Sequence, residues 1–469
     1  MTNSKGKQPA PGPNPPVDNS ENIPTDGPQF GQPEATPDPK TFLVKHASDK
    51  AAYAILDKEH NLPPLPFPLA SGGVEPVIQL VDVVGENGPA LINKINQHKQ
   101  IVFHAVGDTG NTRSTGPQNE VSDKMVSDYD DPDPVNVPAF LYHLGDVVYS
   151  FGEAEYYYDQ FYEPYRDYPA PIFAIAGNHD GMVAPGVTVP SLQAFLANFC
   201  TAGQPPHTTP EAGGLPRTAM VQPGVYFTLE APFVRILGLY SNRLESPGII
   251  SSQGKYNIGD LQLDYLKAAL TRIKSENFQG AVIIAVHHPP YSCGGQHPGS
   301  PRMLQDIDSI CNALKVWPHA VLSGHAHNYQ RFTRTMSPGA EDEMQIPFVI
   351  GGNGGHAVSR LTSSASPVLR TPLREQKQEL KDGSDQVVLE NYDDQDYGYL
   401  RLVVDARQLR IEYHPQSDGA NAKTPDDSVT VNLANRQLIH YQPISTTGGA
   451  NQSVRASRHA HAGRAKHGE

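Results

Sequence analysis

Five times in this chain a short apolar run ends, within two residues, in a side chain that can hold a metal ion or carry a proton. The runs are Ile101–Val106 before Gly107-Asp108, Phe140–Leu144 before Gly145-Asp146, Ile172–Ala176 before Gly177-Asn178, Val282–Val286 before His287, and Ala320–Ser323 before Gly324-His325. Such runs, bounded by Gly, Asn or Pro, read as buried strands rather than helices. In α/β folds ligands gather outside the carboxyl ends of strands. The reactive side chains stand at those ends, so the pattern predicts an α/β chain with its chemistry at the strand termini.

Other segments agree. Phe348–Ile350 reads as a further strand, and residues 226–240 read as a hairpin with Ala231-Pro232 near its turn. Asp260–Ile273 has apolar residues at helical spacing, with Asp260 placed to cap the helix. All the chemistry lies between Asp108 and Gly355, although the chain has 469 residues. One large catalytic domain with extensions therefore fits better than several domains. The expected division is a disordered Pro-rich arm over 1–41, an extension over 42–96 that packs on the catalytic domain, the catalytic domain over 97–445, and a disordered basic tail over 446–469. A hydrophobic content of 38%, diluted by 44 Pro and 41 Gly, suits a globular body with long loops.

The formal charge of −14 argues against nucleic acid as a partner. It does not argue against anionic phosphate, because a bound cation overrides net charge locally. Three cysteines exclude a disulfide framework, leaving one bridge between Cys293 and Cys311 open. The N-terminal residues form no apolar signal segment, and no apolar run is long enough to span a bilayer. The expectation is a cytoplasmic protein by default, with no membrane partner.

Each polar cluster has a chemical and a plainer reading. Asp108 and Asp146 suit metal ligation, and a carboxylate can bridge two ions, yet Asp next to Gly also favours tight turns. Tyr149 follows Asp146 by three residues, so one turn can aim both at one ion; it is equally suited to packing. In Asn178-His179-Asp180 the amide oxygen can ligate, His179 can give a proton to a leaving alkoxide, and Asp180 can orient that imidazole. Of His287 and His288, one reads as a ligand and the other as its neighbour. His325 and His327 at i and i+2 of an extended segment would face one side and reach two ions. The donor set is carboxylate, phenolate, amide and imidazole without thiolate. It suits Fe, Mn or Zn.

Taken together, Gly107-Asp108, Gly145-Asp146, Gly177-Asn178-His179-Asp180, a strand ending in His287, and Gly324-His325-Ala326-His327 resemble the five blocks of the calcineurin-like metallophosphoesterase superfamily. Tyr149, the run His287-His288-Pro289-Pro290-Tyr291, and the late Gly351-Gly352-Asn353-Gly354-Gly355 resemble the purple acid phosphatases in particular. The resemblance spans residues of about 100 to 405. It implies a two-sheet αββα sandwich and a site for two metal ions, Fe(III) with a divalent Fe, Zn or Mn ion. One ion would be held by Asp108, Asp146, Tyr149 and His327, the other by Asp146, Asn178, His287 and His325. His179 would be the catalytic or phosphate-binding histidine. His297 falls where the family places a substrate-contacting histidine; the residue before it, often His in the family, is here Gln296. The implied activity is hydrolysis of small phosphate monoesters by a metal-bound hydroxide. A phosphodiesterase on the same site, for example for cyclic nucleotides, and a non-catalytic binding protein are the alternatives.

Overall fold

The computed structural model describes residues 69–444 apart from 112–113, 185–187, 202–208, 218–219, 242–247, 253–258, 294–296, 339–342 and 362–384. The expected arm over 1–41, the tail over 446–469 and Gln296 lie outside the described residues.

Two mixed sheets carry the fold. The strands are β1 (Val77–Gln79), β2 (Gln100–Val106), β3 (Leu141–His143), β4 (Ile172–Ala174), β5 (Phe227–Ala231), β6 (Val234–Leu239), β7 (Ala281–Val286), β8 (Ala320–Ser323), β9 (Tyr329–Met336), β10 (Met344–Gly351), β11 (Gln386–Asp393), β12 (Gly398–Asp405), β13 (Gln408–Pro415) and β14 (Asp427–Asn432). The larger sheet has the order β1-β5-β6-β7-β8-β10-β9-β11, and the smaller one β14-β13-β12-β2-β3-β4. Strand β10 of the larger sheet contacts β12 and β14 of the smaller one. The longer helices are α1 (Gly88–His98), α2 (Gly116–Val126), α3 (Gln193–Phe199), α4 (Leu261–Ser275) and α5 (Pro301–Leu314). Helices α4 and α5 lie side by side, α4 against β6, while α1 touches β2 and α2 touches β12. Helices flanking two packed sheets form the expected sandwich.

Parallel pairing explains why the site strands are so apolar. Strands β2, β3 and β4 are mutually parallel, as are β6, β7 and β8, with β10 parallel to β8. A parallel strand covered on both faces reads as a continuous hydrophobic run. Every residue of β2, β7 and β8 is accordingly buried. Each fully buried Val, Leu, Ile or Phe contributes about 1.5–3 kcal/mol, so these runs anchor the sheets firmly.

Several expectations change in detail. The hairpin forms as β5 and β6, with Phe233 in the left-handed region (φ 68°) at its turn. Asp260 occupies the N-cap of α4 but does not cap it with its side chain; the carboxylate accepts from Ser252 N and Oγ, both at 3.0 Å. The bridge left open between Cys293 and Cys311 does not form. Cys311 instead packs as a small apolar group on the buried face of α5, where burial pushes its thiol well up. Residues 69–96, read as the end of an extension, supply the edge strand β1 and helix α1.

Arg334 on β9 ties the layers together. It grips Asp308 of α5 through both Nη atoms, at 2.8 and 2.7 Å, and Asp385 through Nε at 2.9 Å. The guanidinium is buried, so removing it strands two carboxylates. Arg334→Ala is expected to cost about 3–5 kcal/mol in a denaturant titration; a loss below about 1 kcal/mol would show the pair to be solvated.

Candidate metal centre

The carboxyl ends of adjacent parallel strands, three in the smaller sheet and two in the larger, converge on one point. Strands β2, β3 and β4 deliver Asp108, Asp146 and Asn178, and β7 and β8 deliver His287, His325 and His327. Three of these residues, Asp108, Asp146 and His325, have positive φ of 56°, 55° and 67°. Each follows a glycine, and the left-handed torsion bends the chain where it leaves its strand. A non-Gly residue there costs about 1–3 kcal/mol and persists only where its surroundings hold it. The extended reading of His325-Ala326-His327 is corrected by the same torsion. The segment is a turn, with Ala326 N donating to Gly324 O and Asn328 N to Ala326 O. The two imidazoles still share one cluster.

The donor atoms fall into two groups. In the first, the Tyr149 phenol oxygen lies 3.0 Å from Asp108 Oδ1, 2.9 Å from Asp146 Oδ2 and 3.3 Å from His327 Nε2. In the second, His287 Nε2 lies 3.0 Å from Asn178 Oδ1 and 3.2 Å from Asp146 Oδ2, and His325 Nδ1 lies 3.0 Å from Asn178 Oδ1. Asp146 Oδ2 belongs to both. Asp146, His287 and His325 also bring their ligand atoms within 4.8 Å of one another.

These spacings fit metal ions. Bonds of about 2.1 Å to one ion leave neighbouring donors about 3.0 Å apart in an octahedron and about 3.4 Å apart in a tetrahedron. The protonation pattern supports the fit. His287 Nδ1–H donates to Leu144 O at 2.9 Å, which turns the Nε2 lone pair toward the oxygens of Asn178 and Asp146. The space between Nε2 and these oxygens takes a positive charge, either a proton on Nε2 or a bound cation.

Electrostatics point the same way. Burial pushes Asp108 well above the usual carboxylate range, with His287 drawing it partly back. Burial disfavours charge on His287, yet Asp146 beside it pulls the imidazole up to about 9. Burial and the neighbouring imidazoles keep His325 and His327 far below the usual histidine range. They are therefore neutral, the form that ligates.

Backbone amides aim the carboxylates. Asp108 Oδ2 accepts from His325 N and Asp146 Oδ1 from His179 N, each at 2.8 Å, leaving the other oxygen of each pair in the cluster. Asp180 does not match its expected role of orienting His179. Its carboxylate accepts from the amides of Asp146, Val147, Val148 and Gly177, holding the bridging loop in place. The His179 ring instead donates Nδ1–H to Ser150 O at 2.7 Å. His297 stands beside the centre, its Nδ1 3.3 Å from His325 Nε2. His288 is the neighbour of the pair, its ring 4.0 Å from that of His325.

Three residues escaped the sequence reading. Gln160 pins Tyr149 at both backbone atoms, accepting from N at 2.8 Å and donating to O at 2.7 Å. His143 accepts from Gly145 N at 3.2 Å and donates to Thr109 Oγ1 at 2.9 Å, joining two ligand loops; burial lowers it to about 3. His356 stacks on Tyr149 at 3.8 Å. Its signal was available, because it follows β10 and a glycine run as the other site residues follow theirs.

Residues 101–329 match the family model described as calcineurin-like phosphoesterase. No curated protein matches the sequence. Among solved structures, the chain is similar to GAP50, the anchor in the inner membrane complex of Plasmodium, at 12% identity over 72% of this chain and 90% of that one, TM-score 0.48. It is similar to PhoD at 13% identity over 74% and 73%, TM-score 0.43. It is also similar to a dimetal phosphatase from Danio rerio at 12% identity over 71% and 99%, TM-score 0.40.

A Cβ on Gly177 would overlap the carboxylate and amide of Asp146. Gly177→Ala is therefore expected to weaken Zn(II) or Mn(II) binding about 10–100-fold by calorimetric titration, with the circular dichroism spectrum retained. Unchanged affinity would mean that Asp146 is not a shared ligand.

Proposed function

Through residues 101–329 the chain is a calcineurin-like phosphoesterase, a hydrolase acting on phosphate esters, and from that premise we propose that it hydrolyses small phosphate monoesters at a dinuclear centre of the purple acid phosphatase type. One observation carries the reading. A single oxygen, Asp146 Oδ2, stands 2.9 Å from the Tyr149 phenol and 3.2 Å from His287 Nε2, at the meeting of the two donor groups. Asp108, Asp146, Tyr149 and His327 would hold one ion, and Asp146, Asn178, His287 and His325 the other. A phenolate ligand at neutral pH calls for a strongly Lewis-acidic ion, which favours Fe(III) beside a divalent Fe, Zn or Mn ion. When bound, the two ions polarise the phosphoryl oxygens and acidify water.

The chain's own groups do the rest. His179 spends Nδ1–H on Ser150 O, which directs Nε2 outward as the atom that hands a proton to the leaving alkoxide. His297 adds a second imidazole beside His325 for the substrate phosphate. Burial of the ligand cage excludes bulk water and strengthens each charge interaction within it. No ionisable nucleophile other than water is required, so hydrolysis is direct.

Two measurements test this. Asp146→Asn is expected to lose bound metal and to lower turnover of p-nitrophenyl phosphate by more than about 100-fold; wild-type turnover would refute the shared oxygen. The Fe(III)-loaded protein is expected to be pink to purple, with the monoester hydrolysed faster than bis(p-nitrophenyl) phosphate, and Tyr149→Phe to be colourless. Persistent colour in that variant would remove Tyr149 from the ligand set, and a preference for the bis-ester would make the enzyme a diesterase.

A further inference from the structure

One histidine outside the ligand set, His356, lies on the loop that follows β10. Its ring lies nearly parallel to that of Tyr149, at 3.8 Å between centroids and 20° between planes. The same ring sits 4.6 Å from that of His327. It therefore touches two of the four residues assigned to the first ion.

The loop that carries His356 is laced to the loop that carries Asp108. Gly354 N donates to Gly107 O at 3.0 Å, and His356 N donates to Asp108 O at 2.9 Å. His356 Nδ1–H donates to Gly110 O at 3.1 Å, and Asn111 Nδ2 donates to Gly355 O at 3.0 Å. The imidazole is thus fixed at its backbone and at its ring, on the segment whose carboxylate meets the Tyr149 phenol.

Gln160 fixes the backbone of Tyr149, and its ring is packed by the His179 ring at 4.3 Å as well as by His356 at 3.8 Å. An aromatic χ2 torsion is broad, and a small rotation about χ1 would swing the phenol oxygen away from Asp108, Asp146 and His327 together. We propose that His356 is a positioning residue of the metal centre: its ring, anchored to the Asp108 loop, holds the Tyr149 phenol in the orientation that places its oxygen among those three donors. Its contribution is the flat face of the ring, used as a stop against rotation. Stacked aromatic rings attract one another beyond their burial, which favours one rotamer over its neighbours. This inference rests on Tyr149 being a ligand, as argued under the proposed function.

The test compares Fe(III)-loaded wild type, His356→Ala and His356→Phe by visible absorption, calorimetric titration with Zn(II) alone and thermal unfolding. The Phe variant keeps a flat ring and gives up the hydrogen bond to Gly110. In His356→Ala the tyrosinate-to-iron band is expected to shift or fade, and Zn(II) affinity to fall about 10–100-fold. In His356→Phe both are expected to return to wild-type behaviour. A His356→Ala protein with an unchanged band and affinity overturns the proposal. So does a folded His356→Phe protein that is bleached, and this second comparison decides the matter if the Ala variant does not fold. Wild-type protein that binds iron without any band overturns Tyr149 as a ligand and this proposal with it; a band that ignores position 356 overturns this proposal alone.

Discussion

Two carboxylates, Asp108 and Asp146, sit fully buried within reach of one phenol oxygen, and the architecture around them answers that constraint. Buried like charges repel and lose hydration, so they persist only when hydrogen-bonded and compensated. The protein supplies the hydrogen bonds from its own backbone. His325 N holds one oxygen of Asp108, His179 N holds one oxygen of Asp146, and the Asp180 carboxylate locks the amides of the loop on which Asp146 rides. What the backbone does not supply is positive charge. That is the opening a pair of metal ions would fill.

The geometry follows from how a parallel strand ends. Just beyond strands β2, β3 and β8 a glycine is followed by a residue in the left-handed region, Asp108, Asp146 or His325. The same three residues present donor atoms to the cluster. Gly145, itself at φ 98°, packs so closely on the His287 ring that a Cβ there would meet Nδ1. Precision at the site is therefore a property of the loops' backbone, and side-chain packing reinforces it.

The sequence was legible where physics imposes a local signature. Strands such as Ala281–Val286, buried on both faces, appear as unbroken apolar runs, and the six strand-end donors could be read directly after them. Strands β9, β11 and β13 were not read in this way. They lie in antiparallel pairs and mix polar residues such as Arg331, Glu390 and Arg410 with apolar ones, so no apolar run announces them. The helix-like spacing of residues 260–273 was correct, but the use of Asp260 depended on Ser252, which no periodicity reveals. At the site, His143 was hidden inside an apolar run, and Gln160 carries no local mark because its partner is the backbone of Tyr149. Asp180 was assigned to the wrong neighbour for a related reason. Adjacency in sequence suggested His179, whereas the turn presents the carboxylate to four amides. The extended conformation read for His325-Ala326-His327 is replaced by a turn with a left-handed torsion at His325, which still gathers the two imidazoles into one cluster.

The division of donors between the sheets has a mechanical side. Asp108, Asp146 and Asn178 hang from the smaller sheet, while His287, His325 and His327 hang from the larger. An ion held by both sets would be a cross-link between layers that also meet through apolar packing and through bonds such as those of Arg331 on β9 to Asp427 on β14. Separating the sheets would then require releasing the ion, so its binding free energy adds to the free energy of unfolding by mass action. Occupancy and foldedness would then be linked quantities: free metal would raise the melting temperature, and chelation would lower it.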